Sequence, residues 1–372
     1  VSIKAVQTDS ELKQFTLLPW KIYKKDPKWV APLISERLRF LNPKKNPFFQ
    51  HAEVKYFLAE KNSKKAGRIA AIVNHTHNQI HQDKVGFFGH FECIDDYEVA
   101  LELFDAAKEF LKQKGMDMMR GPANFSSNDD MGFLAEGSNS PPVLMMPYNP
   151  PYYLEFAERY GMMKVKDLYA YYMDKSSWPP DRMAPIAERI KKKEKITIRH
   201  LDVKNLEQEI DLVKQIYNAA WEKNWGFVPM TEAEIDFLAH DLKQILDPEI
   251  AYLAFVEGKP AGFSLALPNV NPVLQKLKGR LFPLGWLKYL WYTKVNNLVD
   301  GVRVITLGVL PEFQKKGIEV VFYVDTFNKG TGKGYNWGEF SWILEDNHLA
   351  TKPLETMGAR LYKIYRVYEM RI

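Results

Sequence analysis

The sequence predicts an α/β protein with mixed α+β sheets, arranged as two tandem domains of one plan. Three observations point there. The chain's 372 residues exceed what a single core of ordinary size accommodates. One order of elements, β-α-β-β-β-α-β-α-β, is legible twice along the chain. Each half also ends in a glycine-stopped helix followed by a tyrosine-rich strand, where glycine takes the left-handed cap conformation.

Taken in order, a β-like run at 2–6 leads into an amphipathic helix closed by Ile22-Tyr23 and then Trp29-Val30-Ala31-Pro32. The run at 197–201 leads into a second such helix, closed by Ile216-Tyr217 and Trp225-Gly226-Phe227-Val228-Pro229. Hairpins follow in both halves: 54–60 turns into 66–73, and 250–256 turns at Glu257-Gly258-Lys259-Pro260 into 261–266. Charge and glycine at the turn, with β-branched and aromatic residues on either side, is hairpin chemistry. A strand then runs into a helix twice, 85–94 into 97–114 and 302–310 into 315–329. Gly161 and Gly358 close the final helices, before the tyrosine-rich strands at 167–172 and 362–368. The expected domains are residues 1–175 and 196–372. Residues 176–195 join them, with Trp178-Pro179-Pro180 blocking helix continuation ahead of a basic helix at 181–195.

Composition sets the outer limits. Hydrophobic residues at 46% and charged residues at 26% are ordinary for a globular chain, which argues against wholesale disorder. A net charge of +5 suits an anionic small molecule and is too weak to indicate nucleic acid. Cys93 is the sole cysteine, which excludes an internal disulfide and a thiolate metal cluster and fits a reducing compartment. No apolar run reaches the roughly 18 residues of a membrane span, and no signal peptide is visible. The expectation is a soluble, cytoplasmic protein.

The most informative segment lies at 302–323. A strand, Val304-Ile305-Thr306-Leu307-Gly308-Val309-Leu310, meets Pro311; Glu312-Phe313-Gln314-Lys315-Lys316-Gly317-Ile318-Glu319 then opens an apolar helix. Backbone amides at a helix start, beside a tight glycine turn and the positive end of the helix dipole, form a ready site for pyrophosphate. In the first half the corresponding Glu92-Cys93-Ile94-Asp95-Asp96-Tyr97-Glu98 carries four acids and no glycine. The first domain is therefore not expected to bind such a ligand.

These residues resemble the GCN5-related N-acetyltransferase (GNAT) superfamily. Its phosphate loop reads Arg/Gln-x-x-Gly-x-Gly/Ala, matched by Gln314 and Gly317; the sixth position departs, being Glu319. Downstream, Asn347, Ala350, Leu354 and Gly358 match the family's spacing, with Leu354 where a tyrosine acid is usual. The whole chain is similar to an uncharacterised tandem bacterial family within that superfamily. The resemblance implies an N-acyltransferase that moves an acyl group from acetyl-CoA or another acyl-CoA to the amine of a small molecule or peptide. It implies coenzyme A contacts at Leu307, Val309, Gln314, Lys315, Lys316, Gly317, Ile318 and Asn347. The backbone amide of Val309 would hold the thioester oxygen, and Glu339 is a candidate base.

Other features leave alternatives open. The first half carries a long polar loop in which Asn124, Ser126 and Asn128 could bind a polar ligand or the other domain; a self-satisfied loop of Asx and Ser turns would explain them equally. His75, His77 and His81 are read as the solvated tip of a hairpin, with no metal expected. The insertion at 271–297 combines Lys276, Lys278, Arg280, Lys288 and Lys294 with Phe282, Trp286, Tyr289, Trp291 and Tyr292 and no acid. It suits a lid over an acyl chain, a surface helix touching anionic lipid, or an amphipathic helix covering a sheet edge. Two rival functions remain at this point: a Fem-like transferase using aminoacyl-tRNA, and a non-catalytic binding protein on an acyltransferase scaffold.

Overall fold

The computed structural model describes residues 1–372 and divides into two compact units, neither continuous in sequence. The first comprises Val1–Asp167, Asn271–Tyr292 and Ile364–Ile372; the second comprises Leu168–Val270 and Thr293–Lys363.

The chain opens with β1 (Ser2–Ala5), α1 (Asp9–Leu17), α2 (Pro19–Ile22), α3 (Ile34–Phe40), β2 (Ala52–Lys61), β3 (Lys64–Asn74) and α4 (His75–His81). It continues through β4 (Val85–Cys93), α5 (Tyr97–Gln113), β5 (Met118–Gly121), β6 (Phe133–Glu136), α6 (Tyr152–Arg159) and β7 (Met163–Asp174). Then come α7 (Pro180–Glu194), β8 (Ile196–His200), α8 (Leu206–Trp221), α9 (Glu232–Leu242), β9 (Ala251–Val256), β10 (Lys259–Pro268), α10 (Asn271–Leu277) and α11 (Gly285–Leu290). The last elements are β11 (Gly301–Val309), α12 (Ile318–Gly332), β12 (Trp337–Leu344), α13 (His348–Thr356) and β13 (Arg360–Arg371).

In the first unit β1 to β4 pair antiparallel in sequence order, β4 and β5 pair parallel, and β5 pairs antiparallel with the Tyr368–Arg371 end of β13. Helix α5 starts where Asp96 accepts the Glu98 amide at 3.1 Å, the capping role its residue type favours. Its buried Val99, Ala100, Leu103, Phe104, Ala107 and Leu111 recur at helical spacing and face the sheet core with Phe88, Phe91 and Phe133.

The second unit repeats the plan. β8 to β11 pair antiparallel in chain order, β11 and β12 pair parallel, and β12 pairs antiparallel with Leu168–Asp174 of β7. α12 covers one face, packing Val321, Tyr323 and Val324 on Val302, Val304 and Phe340. α8 covers the other, where Ile216 and Trp221 meet Phe263. Gly308 has no room for a side chain there: a Cβ would approach the Trp221 ring to 2.5 Å.

The sequence halves and the compact units divide the chain differently. The 271–292 insertion of the second half packs with the first unit, and β13 is shared, Arg360–Lys363 with the second unit and Ile364–Ile372 with the first. The joining helix α7 packs Met183 and Ala187 into the second unit's core. Two local expectations are corrected. His75–His81 forms a short helix, not a hairpin tip, because the Asn74 side chain caps it through the His77 amide at 3.1 Å. The helix expected to start at 315 starts at Ile318, since Lys315 (φ +66°) and Gly317 (φ +79°) are left-handed and cannot continue an α-helix.

A candidate acyl-transfer cleft in the second unit

The parallel pair at the centre of the second unit is short. β11 and β12 are in register only from Gly301–Trp337 to Val304–Phe340, and β11 then runs on to Val309 without β12 beside it. A register shift in the β10–β11 ladder, between Leu265 and Ala266, falls at the point where the two strands part. Such a bulge increases local twist and bends the strand. Beyond it the Leu310 amide donates to Ala261 O at 2.8 Å. By the two-residue alternation of an antiparallel ladder, Leu307 and Val309 therefore turn their own N–H and C=O away from β10, toward the opened side. The Val309 carbonyl is met there by the Gln314 side chain, whose Nε2 donates to it at 3.2 Å. The cleft thus presents backbone groups on its β11 wall.

At its mouth stands the turn before α12. Gly317 is the N-cap and, having no side chain, leaves the first-turn amides of α12 uncapped by it. Its left-handed φ and a neighbour at 3.2 Å from any Cβ, the Ile190 Cδ1, both favour glycine. Gln314 and Lys315 are exposed, Lys316 donates to Glu194 at 3.1 Å, and Ile318 is buried. The departure at Glu319 acquires a geometry here. Glu319 stands in the first turn of α12, and burial pushes its carboxyl above the usual carboxylate range. The turn therefore leaves the first amides of α12 without a side-chain cap. Lys333, at the far C-terminal end of α12, is held by Asp247 and Glu249 at 2.8 and 2.5 Å.

Behind the cleft lies a cluster the sequence reading missed in part. Phe340 faces α12 through Tyr323, with ring centroids 5.2 Å apart, so its neighbours Glu339 and Ser341 face the opposite side of β12. Glu339 is fully buried. It accepts from Ser341 Oγ at 2.6 Å and from the Tyr362 hydroxyl, and Arg303 Nε lies 3.9 Å away while donating to Ser341 Oγ at 2.9 Å. Lys363 is also fully buried; burial pulls its ammonium down to about 8 despite the nearby Glu339 charge. Regular alternation along β12 does not extend to Glu345, because the β12–β7 register shifts between Phe340 and Ile343 and the strand stops at Leu344. A legible signal existed. Arg303 in Val302-Arg303-Val304 and Lys363 in Tyr362-Lys363-Ile364 are single charges in apolar strands, which burial leaves viable only with partners.

Asn347 caps α13, its Oδ1 accepting the Ala350 amide at 3.3 Å, and Leu354 is buried in the core without any polar atom to offer. In the first unit the equivalent parallel pair also stops early, at Phe87–Arg120, but the chain itself fills the opening. Ala123 N donates to Phe88 O at 2.8 Å, and Asn124 Oδ1 accepts from the His90 amide at 2.6 Å. Gly89 is obligatory at this point, since a Cβ would sit 1.9 Å from Ala123 O. Ser126 Oγ donates to Asp129 at 3.1 Å and accepts from the Asn128 amide at 3.1 Å. Ser126 and Asn128 are thus joined by turn bonding within their own loop, whereas the Asn124 side chain is tied to β4. No group of three or more His, Cys, Asp or Glu is placed to hold a metal ion; His77 instead lies 3.4 Å from Asp83.

In each unit a mixed set of strands carries a parallel pair that stops early, and with this arrangement the chain shares the fold of tandem GNAT proteins. It aligns over its full length with a tandem GNAT protein from the clavulanic acid biosynthesis pathway, covering 98% of that chain at a TM-score of 0.59 and 10% identity. It also aligns with a GCN5-related N-acetyltransferase from Sphaerobacter thermophilus at a TM-score of 0.54 and 13% identity, over 99% of this chain and 95% of that one. Within that class the chain belongs to the family of two curated relatives. It is 38% identical to the bacterial ceramide synthase of Caulobacter vibrioides over 99% of this chain and 97% of the relative, and 34% identical to protein YghO of Escherichia coli over 100% and 95%. No family model matches the chain. No helix is long and apolar enough to cross a membrane.

Proposed function

We propose that the protein is a lipid N-acyltransferase, moving a long-chain acyl group from an acyl-CoA thioester to the primary amine of a long-chain amino alcohol. The 38% identity to a bacterial ceramide synthase, extending over 97% of that protein, carries this reading. The opened β11–β12 pair supports it with a place for a thioester. In the proposed reaction the amine nitrogen attacks the thioester carbonyl, a C–N bond forms and the C–S bond breaks. The amine gives up a proton and the departing thiolate takes one, leaving an amide and free coenzyme A.

The chain's own groups have distinct tasks in this reading. The Val309 N–H, turned into the opening, holds the carbonyl oxygen as negative charge develops on it, the oxyanion strategy. Gly317 and Ile318 offer amides to the diphosphate, with Lys315 and Lys316 beside them. Being fully buried, Glu339 meets the acceptor's proton through Ser341 rather than by touching the amine. The family's tyrosine acid is replaced by buried Leu354, so the thiolate takes its proton from water or the acceptor.

The aminoacyl-tRNA reading has no comparable support, and the +5 charge does not single it out. The direct test incubates the protein with palmitoyl-CoA and a long-chain amino alcohol and follows the N-acyl product by mass spectrometry. Gly317→Asp should abolish the product, by adding bulk and a charge to the turn. Glu339→Gln should lower kcat while leaving KM for palmitoyl-CoA within about threefold. Product formed equally well by Gly317→Asp would exclude this turn as the donor site; transfer to lysine or peptide amines alone would exclude the lipid acceptor.

A further inference from the structure

The insertion at 271–292 has a clamped base and a bare tip. At the base Asn271 Nδ2 donates to Pro142 O at 2.7 Å and Gln275 Nε2 donates to Pro27 O at 2.6 Å. Trp20 Nε1 donates to Lys278 O at 3.1 Å, and the Ile34 amide donates to Gly279 O at 2.9 Å. Gly279 turns here with φ +84°, and a Cβ would meet the Trp20 ring at 2.7 Å, so the turn is fixed by packing.

Past this clamp the apolar residues face outward. Phe282, Leu284, Trp286, Leu287, Leu290 and Trp291 are all exposed, Phe282 by 73% and Trp291 by 55%. Trp286 and Leu290, and Leu287 and Trp291, stand four residues apart and so share one side of the helical turn. Tyr289 lies inward, where burial raises its hydroxyl above the ordinary range. Lys276, Lys278, Arg280 and Lys288 are exposed in the same segment, and no acidic residue occurs from Asn271 to Tyr292.

We propose that this tip is a docking surface for an anionic lipid bilayer, with the tryptophans and leucines entering the headgroup–acyl boundary and the cations meeting lipid phosphates. Charge complementarity selects this partner. Six exposed apolar side chains in a segment with four exposed cations and no carboxylate match a negatively charged interface. The choice of lipid over protein as partner rests on the lipid acyltransferase reading, since both substrates of that reaction reside in or partition to bilayers. The segment is too short to span, so in this proposal it enters only the interface.

Co-sedimentation of the full chain with phosphatidylcholine vesicles, and with vesicles of phosphatidylglycerol and phosphatidylcholine, tests it without any turnover. The wild-type protein should pellet with the anionic vesicles and only weakly with the neutral ones, its tryptophan emission shifting to the blue. The pair Trp286→Ser and Trp291→Ser should cut partitioning by about tenfold or more. The triple change Lys278→Gln, Arg280→Gln and Lys288→Gln alters only exposed side chains and should remove the preference for anionic vesicles. The proposal is overturned if wild type stays in the supernatant with both vesicles, or if both variants bind as wild type does. It is overturned equally if the protein elutes as a dimer that the tryptophan variant converts to a monomer, which would assign the patch to a second copy. Acyl transfer in detergent micelles reports separately on the enzymatic reading, so either idea can fail alone.

Discussion

Glu319 and Lys363 are two residues whose surroundings change their acid–base chemistry. Burial raises the Glu319 carboxyl, so its neutral form is populated at a higher pH than for an ordinary glutamate. A neutral acid at the start of α12 does not repel a diphosphate. Affinity for acyl-CoA should therefore strengthen as pH falls through that raised pKa, and Glu319→Gln should flatten the dependence; calorimetric titrations between about pH 5 and about pH 8 would show it. Lys363 works in the opposite direction, on stability. Its folded pKa, about 8 against an ordinary 10.5, means that below about 8 the buried amine must carry a charge its surroundings disfavour. Between the two values the unfolded chain binds more protons than the folded one, so stability rises with pH across that window. Lys363→Met should be more stable than wild type near neutrality, by on the order of 3 kcal/mol, with the gap closing as pH rises from about 8 to about 10.5. Urea midpoints at a series of pH values measure this, and an unchanged gap would show that Lys363 is not the cause.

Among the elements, the helix starts and the strand that ends early shape the cleft. α12 begins three residues later than hydrophobic periodicity suggests, because two left-handed residues must first turn the chain. Periodicity records which face of a helix is buried but not where its first turn closes. For the same reason the cleft is illegible from β11 alone. The run 302–310 reads as a uniform strand, and only the register with β12 shows that pairing ceases at Val304. The two cap residues illustrate a division of labour: Gly317 leaves its helix start open, whereas Asn347 closes its own. Asn347→Ala should lower stability by about 1 kcal/mol, the ordinary worth of an N-cap. If Asn347 contacts coenzyme A as well, the same change will also raise KM, and steady-state kinetics beside thermal melts separate the two effects.

At the scale of the whole molecule, the compact units exchange segments. The first unit uses residues from the far end of the chain, since Tyr368–Arg371 of β13 pair with Met118–Gly121 and Ile364–Arg366 pair with β6. An isolated fragment 1–175 would leave the β5 edge unpaired, an exposed edge prone to aggregation. We therefore expect residues 1–175 alone to be insoluble or to lack a cooperative melt, and co-expression with 176–372 to restore both. A soluble 1–175 with a sharp thermal transition would contradict the exchange. The full chain should refold only when both segments are present.

By itself the sequence determined the class of fold, its duplication and the position of the glycine turn before α12, because those depend on local patterns: side-chain periodicity, glycine at turns and the residues around Gln314 and Gly317. The order β-α-β-β-β-α-β-α-β needs no long-range knowledge to be read twice. Tertiary structure alone decided the rest. Which partner strand departs, that Ala123 and Asn124 fill the first unit's opening, and that Arg303, Tyr362 and Lys363 gather around Glu339 depend on contacts between residues far apart in the chain. So is the clamping of the 271–292 base, which leaves its apolar tip exposed. Periodicity reports whether a side chain is buried; the partner it is buried against is set by strand register and chain crossing, which local sequence does not encode.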